Sequence, residues 1–393
     1  MTGIQTQVFA IRLVFQTLQR NQVSQRKMPR SSDSTWFRKR ISSLLCISPV
    51  VLSFLFPLKT LAATFSGIYV LGDSLSDTGN VFNESKKLNS TNPEIPVIPP
   101  PSLGYFNGRF SHGLNWIDYL SKDLGLTPVL FTNLQNGANP SQGINFAFGG
   151  ATTGTENTIF PILPGLQQEV GAFTSLLPPT KADPDALYIV WAGGNDYLPT
   201  MSAFKPYTTP DTTLANISGV VKTLAGVGAK NILVANLPDL GKVPLTSKTA
   251  LSQPLSALTA AHNAGLSQKL DLLSEELGSS VDLISLDVYS LAERVVANPA
   301  SFGFTNVTDG CLLVGCTNPD KYLFWDQNHL TTAGNRLVAD LAISVLNERQ
   351  PQERVPEPST AAGIFAFGVL GTISVWKRKR QKANSALTQV VTH

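Results

Sequence analysis

The sequence predicts an α/β fold in which helices cover both faces of a parallel sheet, a three-layer, doubly wound arrangement. Between about residues 64 and 353, short apolar runs rich in β-branched residues alternate with longer segments of helical periodicity. The short runs are continuously apolar, as strands are when both of their faces are buried. Regular alternation of such strands with helices is typical of a doubly wound domain.

Each element is predicted from its own pattern. Continuous apolar character predicts these strands: Ile68–Leu71, Ile144–Phe148, Leu187–Trp191, Ile232–Ala235 and Val281–Leu286. Helical spacing of apolar residues predicts these helices: Leu114–Leu124, Leu214–Val227, Leu255–Leu277, Val288–Val296 and Thr332–Asn347. Parallel sheets place their sites at the carboxyl ends of the strands, so we expect functional residues in the loops that follow them.

The segment Asn89–Ser102 contains five prolines and is therefore predicted to be irregular. It would run over the edge of the sheet. Two interpretations stay open, a lid over the site and a passive surface insertion.

Composition excludes several classes of protein. Hydrophobic residues make up 42% of the chain and charged residues 15%, which is typical of a globular protein. A net charge of +3, with much of the basic excess near the two ends, does not indicate a nucleic-acid-binding protein. Cys311 and Cys316 have no neighbouring pair of histidines, so no zinc site is expected. They would form either a small disulfide loop or two free thiols.

The amino-terminal end has the pattern of a secretory signal. Basic residues at Arg38–Arg40 precede an apolar run at Ile41–Leu58, and small residues follow at Ala62 and Ala63. This order predicts that residues 1–63 are an extension and signal peptide cleaved near Ala63. A retained membrane anchor is the alternative interpretation.

The carboxyl-terminal end indicates a second targeting segment at 354–381, followed by a polar tail at 382–393. A proline-broken linker at Arg354–Ser359 leads into an apolar run at Ala361–Trp376 and a basic cluster at Lys377–Arg380. A sixteen-residue helix would span about 24 Å, near the lower limit for crossing a bilayer. Basic clusters stay cytoplasmic, so the body between the two ends is expected outside.

This order of Pro-Glu-Pro, short apolar helix and basic cluster resembles the PEP-CTERM sorting signal of bacteria that carry an exosortase. The resemblance implies a transient membrane anchor, processing by an exosortase-type enzyme, and delivery to the cell surface or extracellular matrix. A plain tail anchor is the alternative, and either arrangement puts the body outside the cell.

The first segment with catalytic potential is Gly72-Asp73-Ser74-Leu75, directly after the first predicted strand. A serine in that turn lies at the carboxyl end of a strand with its backbone N–H free to donate. A nucleophile is expected in such a position. Gly-Asp-Ser also suits a simple helix cap, so the segment alone is ambiguous.

Two further strands end in glycine-rich turns. Gly149-Gly150 follows the second predicted strand, and Gly193-Gly194-Asn195-Asp196 follows the third. A backbone N–H at Gly150 and the amide of Asn195 are candidate donors to a developing oxyanion. Each segment would also serve as an ordinary turn.

Asp326 and His329 are three residues apart, so the carboxylate can hold the imidazole ring in the tautomer that accepts a proton. The chain has only four histidines, which limits the candidates for a general base. A solitary surface histidine is the alternative.

In this order the four segments resemble the GDSL/SGNH hydrolase family, whose signature Ser, Gly, Asn and His match Ser74, Gly150, Asn195 and His329. The family's Gly-Asp-Ser-Leu and Asp-x-x-His are intact, and similar stretches stand at Phe106–Ser111 and Asn236–Gly241. The resemblance covers about Ile68 to Asn335. Asp239 departs from it, since many relatives have proline there, and so does Asn328, where many carry another small or polar residue.

The resemblance implies a flavodoxin-like SGNH-hydrolase fold and a secreted serine esterase or lipase with no metal or cofactor. Ser74 would attack an ester carbonyl, His329 would move the proton, and Asp326 would orient His329. The backbone N–H groups of Ser74 and Gly150 and the Asn195 amide would form the oxyanion hole.

The resemblance leaves the substrate open between an ester-bearing small molecule and a lipid. Deacetylation of a surface polysaccharide, acyl transfer, and a non-catalytic matrix or adhesion role are the alternatives. Asp77 and Arg109 are interpreted as structural, because buried Asp–Arg pairs often brace loops.

Overall fold

A six-stranded parallel sheet forms the centre of the computed structural model, which describes residues 65–177 and 181–349. The strand order is β2-β3-β1-β4-β5-β6. These strands are β1 (Ile68–Gly72), β2 (Val129–Leu130), β3 (Gly143–Asn145), β4 (Leu187–Trp191), β5 (Asn231–Ala235) and β6 (Asp282–Leu286). A separate parallel pair consists of β7 (Asn306–Gly310) and β8 (Tyr322–Phe324).

Helices connect the strands and cover the sheet. They are α1 (Asn80–Thr91), α2 (Trp116–Asp123), α3 (Leu166–Leu176), α4 (Gly194–Tyr197), α5 (Asp211–Gly226), α6 (Ser252–Leu277), α7 (Val288–Ala297), α8 (Cys311–Val314) and α9 (Thr332–Glu348). Short 3₁₀ turns lie at Pro101–Leu103, Phe131–Asn136, Gly278–Ser280, Pro299–Phe302 and Pro319–Lys321. Helix α2 shows how local sequence fixes a start: Asn115 and Asp118 form a reciprocal capping box.

The two faces of the sheet bury two separate apolar layers, because side chains alternate along each strand. Ile68 and Val70 point into a core shared with α2, α7 and α9, whereas Leu71 points into a core shared with α3, α5 and most of α6. Both layers are filled with fully buried aliphatic and aromatic side chains. The predicted three-layer, doubly wound fold is confirmed.

The predicted strands all occur, with one shortened. The second was expected to run to Phe148, but β3 ends at Asn145. Beyond Asn145 the chain still bonds to β1, because the N–H groups of Phe146 and Phe148 donate to β1 carbonyls at 2.8 and 3.1 Å. The N–H of Ala147 instead donates to Asn145 Oδ1 at 2.9 Å, a local bond that replaces regular strand pairing at that residue. Elements that the apolar pattern did not predict are α1, α3, the short helices α4 and α8, the two-residue β2 and the pair β7–β8.

The prediction that Asn89–Ser102 is wholly irregular was wrong at both ends. Its first three residues complete α1, and Pro101–Leu103 is a 3₁₀ turn. The prolines begin only at Pro93, so they leave α1 intact, and Pro101 occupies a first helical position that tolerates proline.

The predicted signal peptide, the PEP-CTERM-like segment and the polar tail lie outside the described residues. Over the two described ranges, no helix combines the length and apolarity needed to cross a membrane.

Candidate active site

The turn after β1 presents Ser74 at the edge of the sheet. The N–H groups of Ser76 and Asp77 both donate to the Asp73 carbonyl, at 3.0 and 2.9 Å, which closes the turn. The residue before this turn must be glycine. Gly72 has a φ of 157°, which is unfavourable for other residues, and a side chain there would collide with the Trp191 carbonyl. Ser74 is largely buried, with 8% of its surface exposed.

Ser74 is hydrogen-bonded to a histidine from the opposite end of the domain. The Nε2 atom of His329 lies 2.8 Å from Ser74 Oγ. On the other side of the ring, Nδ1 lies 2.7 Å from Asp326 Oδ2 and 2.9 Å from Oδ1. If Nδ1 carries the ring proton, Nε2 is left to accept the serine proton. This arrangement can activate a hydroxyl as a nucleophile.

The carboxylate of Asp326 is itself held in place. Its Oδ1 accepts the N–H groups of Asn328 and His329, at 3.0 and 2.9 Å. Its Oδ2 accepts the Tyr105 hydroxyl at 2.7 Å. Burial alone would raise the pKa of Asp326, but the charge of His329 and these hydrogen bonds outweigh it and lower the pKa. The residue therefore stays ionised.

The loop that carries Asp326 and His329 directly follows β8 of the small two-stranded sheet. The N–H of Trp325 donates to the carbonyl of His329 at 2.8 Å, which closes the loop on itself. The N–H of Leu312 donates to the Trp325 carbonyl, also at 2.8 Å, and links α8 to this loop. Cys311 and Cys316 form a disulfide across α8, so the first of the two interpretations left open by the sequence holds.

The expected oxyanion donors follow three neighbouring strands, β3, β1 and β4. No hydrogen bond within 65–177 and 181–349 uses the backbone N–H of Ser74 or of Gly150. Asn195 donates one amide hydrogen to the Ala151 carbonyl at 3.0 Å, and its second hydrogen remains for a ligand. Gly150 adopts φ 80°, and a side chain there would meet Ile159, so glycine is needed at this position.

Asp77 is structural, as the sequence suggested, but Arg109 is not its partner. The buried Asp77 carboxylate accepts the N–H groups of Gly79, Asn80 and Val81, at 2.7, 2.6 and 3.1 Å, and that of Gly149 at 2.9 Å. Arg109 instead forms a bidentate pair with Asp118, at 2.7 and 3.0 Å. The two residues thus brace different loops.

A second buried carboxylate, that of Glu169 on α3, also connects the segments that follow β1 and β3. It accepts the N–H of Gly72 at 2.8 Å and that of Phe148 at 3.0 Å. Glu169 is 1% exposed, and burial raises its pKa well above the usual range. It connects the end of β1 to the start of the glycine turn at Gly149 and Gly150.

Two cavities adjoin the site. An open cleft of about 510 Å³ is lined by His329, Asp326 and Tyr105 and by the proline-rich segment at Ile98, Pro99 and Pro100. A narrow cavity of about 70 Å³ is lined by Ser74 and many aliphatic side chains. The proline-rich segment therefore forms one wall of the cleft.

In the described ranges, no cluster of histidine, cysteine and carboxylate side chains could hold a metal ion.

The family model for GDSL-like lipases and acylhydrolases matches residues 68–342, the span that contains all of these residues. The chain belongs to this family. Membership confirms the resemblance drawn from Gly72–Leu75 and Asp326–His329, and it makes the chain a relative of known hydrolases.

Two curated relatives are similar to the chain over most of their length. A GDSL esterase/lipase of Arabidopsis thaliana is 28% identical over 333 residues, which cover 72% of this chain and 91% of the relative. The phosphatidylcholine-sterol acyltransferase of Aeromonas hydrophila is 29% identical over 304 residues, covering 72% of this chain and 80% of the relative. Among solved structures, the acetylxylan esterase Axe2 of Geobacillus stearothermophilus is similar at 15% identity and a TM-score of 0.38, over 72% of this chain and 95% of Axe2.

Sequence reasoning missed two residues of this GDSL-family site. Tyr105 lies in an ordinary loop, 221 residues before Asp326, and its only signal was its place one residue before the family-like stretch at Phe106. Glu169 lies on an amphipathic helix, where a glutamate is normally taken as a solvent-facing residue. Both make contacts that form only when distant segments meet.

Proposed function

We propose that this GDSL-family protein is an exported serine hydrolase that cleaves carboxylic esters through an acyl-enzyme on Ser74. The observation that carries the proposal is the unbroken hydrogen-bonded chain from Ser74 Oγ through His329 to Asp326, with distances of 2.8 and 2.7 Å. The backbone N–H groups of Ser74 and Gly150 and the second amide hydrogen of Asn195 add support, because they make no hydrogen bond among the described residues and acyl transfer needs a stabilised oxyanion.

The reaction would run in two halves. Ser74 Oγ bonds to the ester carbonyl carbon while its proton moves to His329 Nε2. The carbon–oxygen bond to the alcohol then breaks, and the alcohol leaves with that proton. A water molecule repeats the sequence on the acyl-enzyme and releases the acid. Asp326 stabilises the imidazolium that forms in each half.

The test is hydrolysis of p-nitrophenyl esters of short and long acids by the purified protein and its Ser74→Ala variant. We expect kcat to fall on the order of 10⁴-fold or more in that variant. The exposed Ser90, on α1, provides a matched control, and Ser90→Ala should retain wild-type rates. Equal rates for wild type and Ser74→Ala would contradict the proposal.

Two other outcomes correspond to the alternatives raised by the sequence. Release of acetate from an acetylated polysaccharide, with little turnover of p-nitrophenyl esters, would favour a deacetylase. Formation of a new ester when an alcohol is added would favour acyl transfer, a reaction named for the Aeromonas relative. A complete absence of turnover would favour a matrix or adhesion role, and a relative in Arabidopsis is described as inactive.

Export remains a proposal that rests on the two terminal patterns. We expect the mature protein to begin near Ala63, and an exosortase-type enzyme to process it near Val355–Pro358 before release to the cell surface or matrix. Mass spectrometry of the protein recovered from culture would test both ends. Recovery of the unprocessed chain in the cytoplasm would contradict export.

A further inference from the structure

The proposed nucleophile and base line different cavities. Ser74 lines the narrow cavity of about 70 Å³, whereas His329 and Asp326 line the open cleft of about 510 Å³. The two spaces meet at Asn195, Leu198 and Asn328, which line both. The 2.8 Å hydrogen bond between Ser74 and His329 therefore crosses the boundary between the two cavities.

We infer that the narrow cavity holds the acyl group of the substrate and the open cleft holds its alcohol. The inference rests on the proposed function and follows from its bonding. The acyl carbon bonds to Ser74 Oγ, so the acyl chain starts in the cavity that Ser74 lines. The leaving oxygen takes its proton from His329 Nε2, so the alcohol lies on the side that His329 lines.

The wall of the narrow cavity determines the chemistry of the acyl group. Leu237 and Leu240 after β5, Leu291 and Val295 of α7, and Val338 of α9 are all at least nine-tenths buried. An apolar chain gains free energy by entering such a space. A charged or hydroxylated chain would lose more hydration than the few polar side chains of the wall, such as Asp73 and Asn328, could replace. The acyl group is therefore an unsubstituted aliphatic chain.

The volume of the narrow cavity determines the length of that chain. Its volume of about 70 Å³ is small beside the 510 Å³ of the cleft, so it favours short acyl groups, such as acetyl to butyryl, over long ones. The cleft is several times larger, so the alcohol can be bulky. The substrate class is thus a short-chain aliphatic ester of a large alcohol.

Two ester series with the full-length protein test this assignment. One varies the acid from acetate to decanoate on a constant p-nitrophenol, and the other varies the alcohol on a constant acetate. We expect wild-type kcat/KM to fall at least about tenfold between butyrate and octanoate. Acetates of large and small alcohols should differ much less.

Variants of the wall should move the acyl preference alone. Leu291→Ala combined with Val338→Ala lengthens the cavity and should raise the octanoate-to-butyrate ratio at least about tenfold. Ala292→Leu, at a half-buried position in the same wall, should lower butyrate turnover relative to acetate. Leu224→Ala is the matched control, because Leu224 is fully buried on the opposite face of the sheet. It should leave both ratios unchanged.

The outcomes separate this inference from the proposed function. Two outcomes would overturn the acyl assignment and leave the proposed esterase activity standing. One is Ser74-dependent hydrolysis with a wild-type optimum at octanoate or longer, and the other is the same acyl profile in all wall variants. A change in the alcohol series instead of the acyl series would reverse the roles of the two cavities and also overturn it. Absence of Ser74-dependent turnover on every ester would overturn both.

Discussion

The Oδ2 atom of Asp77 lies 2.9 Å from the backbone nitrogen of Gly149, the residue immediately before Gly150. The same carboxylate accepts the N–H groups at the start of α1. One buried side chain therefore connects the turn that carries Ser74 to the turn that carries a proposed oxyanion donor. Asp77 is therefore a positioning residue, which holds these two turns relative to each other.

Replacing Asp77 with asparagine should weaken both turns. Each carboxylate oxygen accepts two of the four bonds, so an amide, which has an NH₂ group in place of one oxygen, loses two of them. We expect a loss of about 1–3 kcal/mol in the free energy of unfolding and a fall of kcat of about tenfold with little change in KM. Chemical denaturation and steady-state kinetics measure the two effects. Unchanged values for both would refute the positioning role.

Asn195→Ala should remove a proposed oxyanion donor. We expect kcat to fall by about 100- to 1,000-fold while KM changes little, because the lost bond forms mainly in the transition state. Asn216→Ala is a suitable control, since Asn216 donates to Thr153 Oγ1 at 3.1 Å and does not line either cavity. A fall of less than about threefold at position 195 would argue against this donor.

Tyr105→Phe should loosen the orientation of Asp326. The phenylalanine ring can keep the edge-on contact with Trp325, whose ring centre lies 6.0 Å away, while the 2.7 Å hydrogen bond to Asp326 is lost. Hydrogen bonds to charged groups contribute about 1.5–3 kcal/mol, so we expect kcat to fall on the order of tenfold. Tyr119→Phe removes a comparable hydroxyl that bonds Thr332, and it should keep wild-type kcat.

Asp196 should make the protein less stable as pH rises. Burial raises the pKa of Asp196 from 3.8 to about 7, although Thr153 donates to it. Between about pH 4 and 7 the folded state therefore keeps a proton on Asp196 that the unfolded state releases. The free energy of unfolding that this proton contributes is full below about pH 4 and is lost as pH rises to about 7. In Asp196→Asn, the fall in unfolding free energy over this range should be smaller than in wild type.

Denaturation at pH 4.5 and pH 8 would measure this effect. Some decline should persist in the variant, because burial also raises the pKa of Asp73 to about 6. The exposed Asp271, on α6, supplies the control, and Asp271→Asn should decline as wild type does. Identical declines in Asp196→Asn and wild type would show that Asp196 does not carry the dependence.

Removal of the Cys311–Cys316 disulfide should reduce stability modestly. The bond closes a loop of only a few residues, so releasing it restores little entropy to the unfolded chain, about 2 kcal/mol in the free energy of unfolding. Thermal unfolding of the Cys311→Ser/Cys316→Ser variant would show this change. A reductant should lower the melting temperature of wild type and leave that of the double variant unchanged.

Most strands of the sheet could be predicted because a strand that is buried on both faces is a continuous apolar run, as Leu187–Trp191 is. The strand β2 was missed because two residues are too few to show such a run. Helix α3 was missed because Gln167, Gln168 and Glu169 interrupt its apolar residues. Glu169 is nevertheless buried, and its carboxylate accepts two backbone N–H groups from distant loops. The pair β7–β8 was missed because Asn306–Gly310 is polar and half-exposed.

Within the candidate site, sequence reasoning worked where a side chain follows a strand directly. Ser74, Gly150 and Asn195 lie at neighbouring strand ends because the topology of a parallel sheet puts them there. Tyr105 could not be inferred in this way, since its bond to Asp326 joins loops 221 residues apart. Such a contact depends on how loops pack, and neither propensity nor periodicity encodes it.

Ser74 and His329 are 255 residues apart in the chain. A ribosome makes the protein from its amino-terminal end, so the serine and all of the proposed oxyanion donors exist well before the histidine does. Every nascent or truncated chain that stops short of His329 would carry the nucleophile without its base. On the proposed mechanism, Ser74-dependent hydrolysis would therefore appear only after synthesis has passed His329.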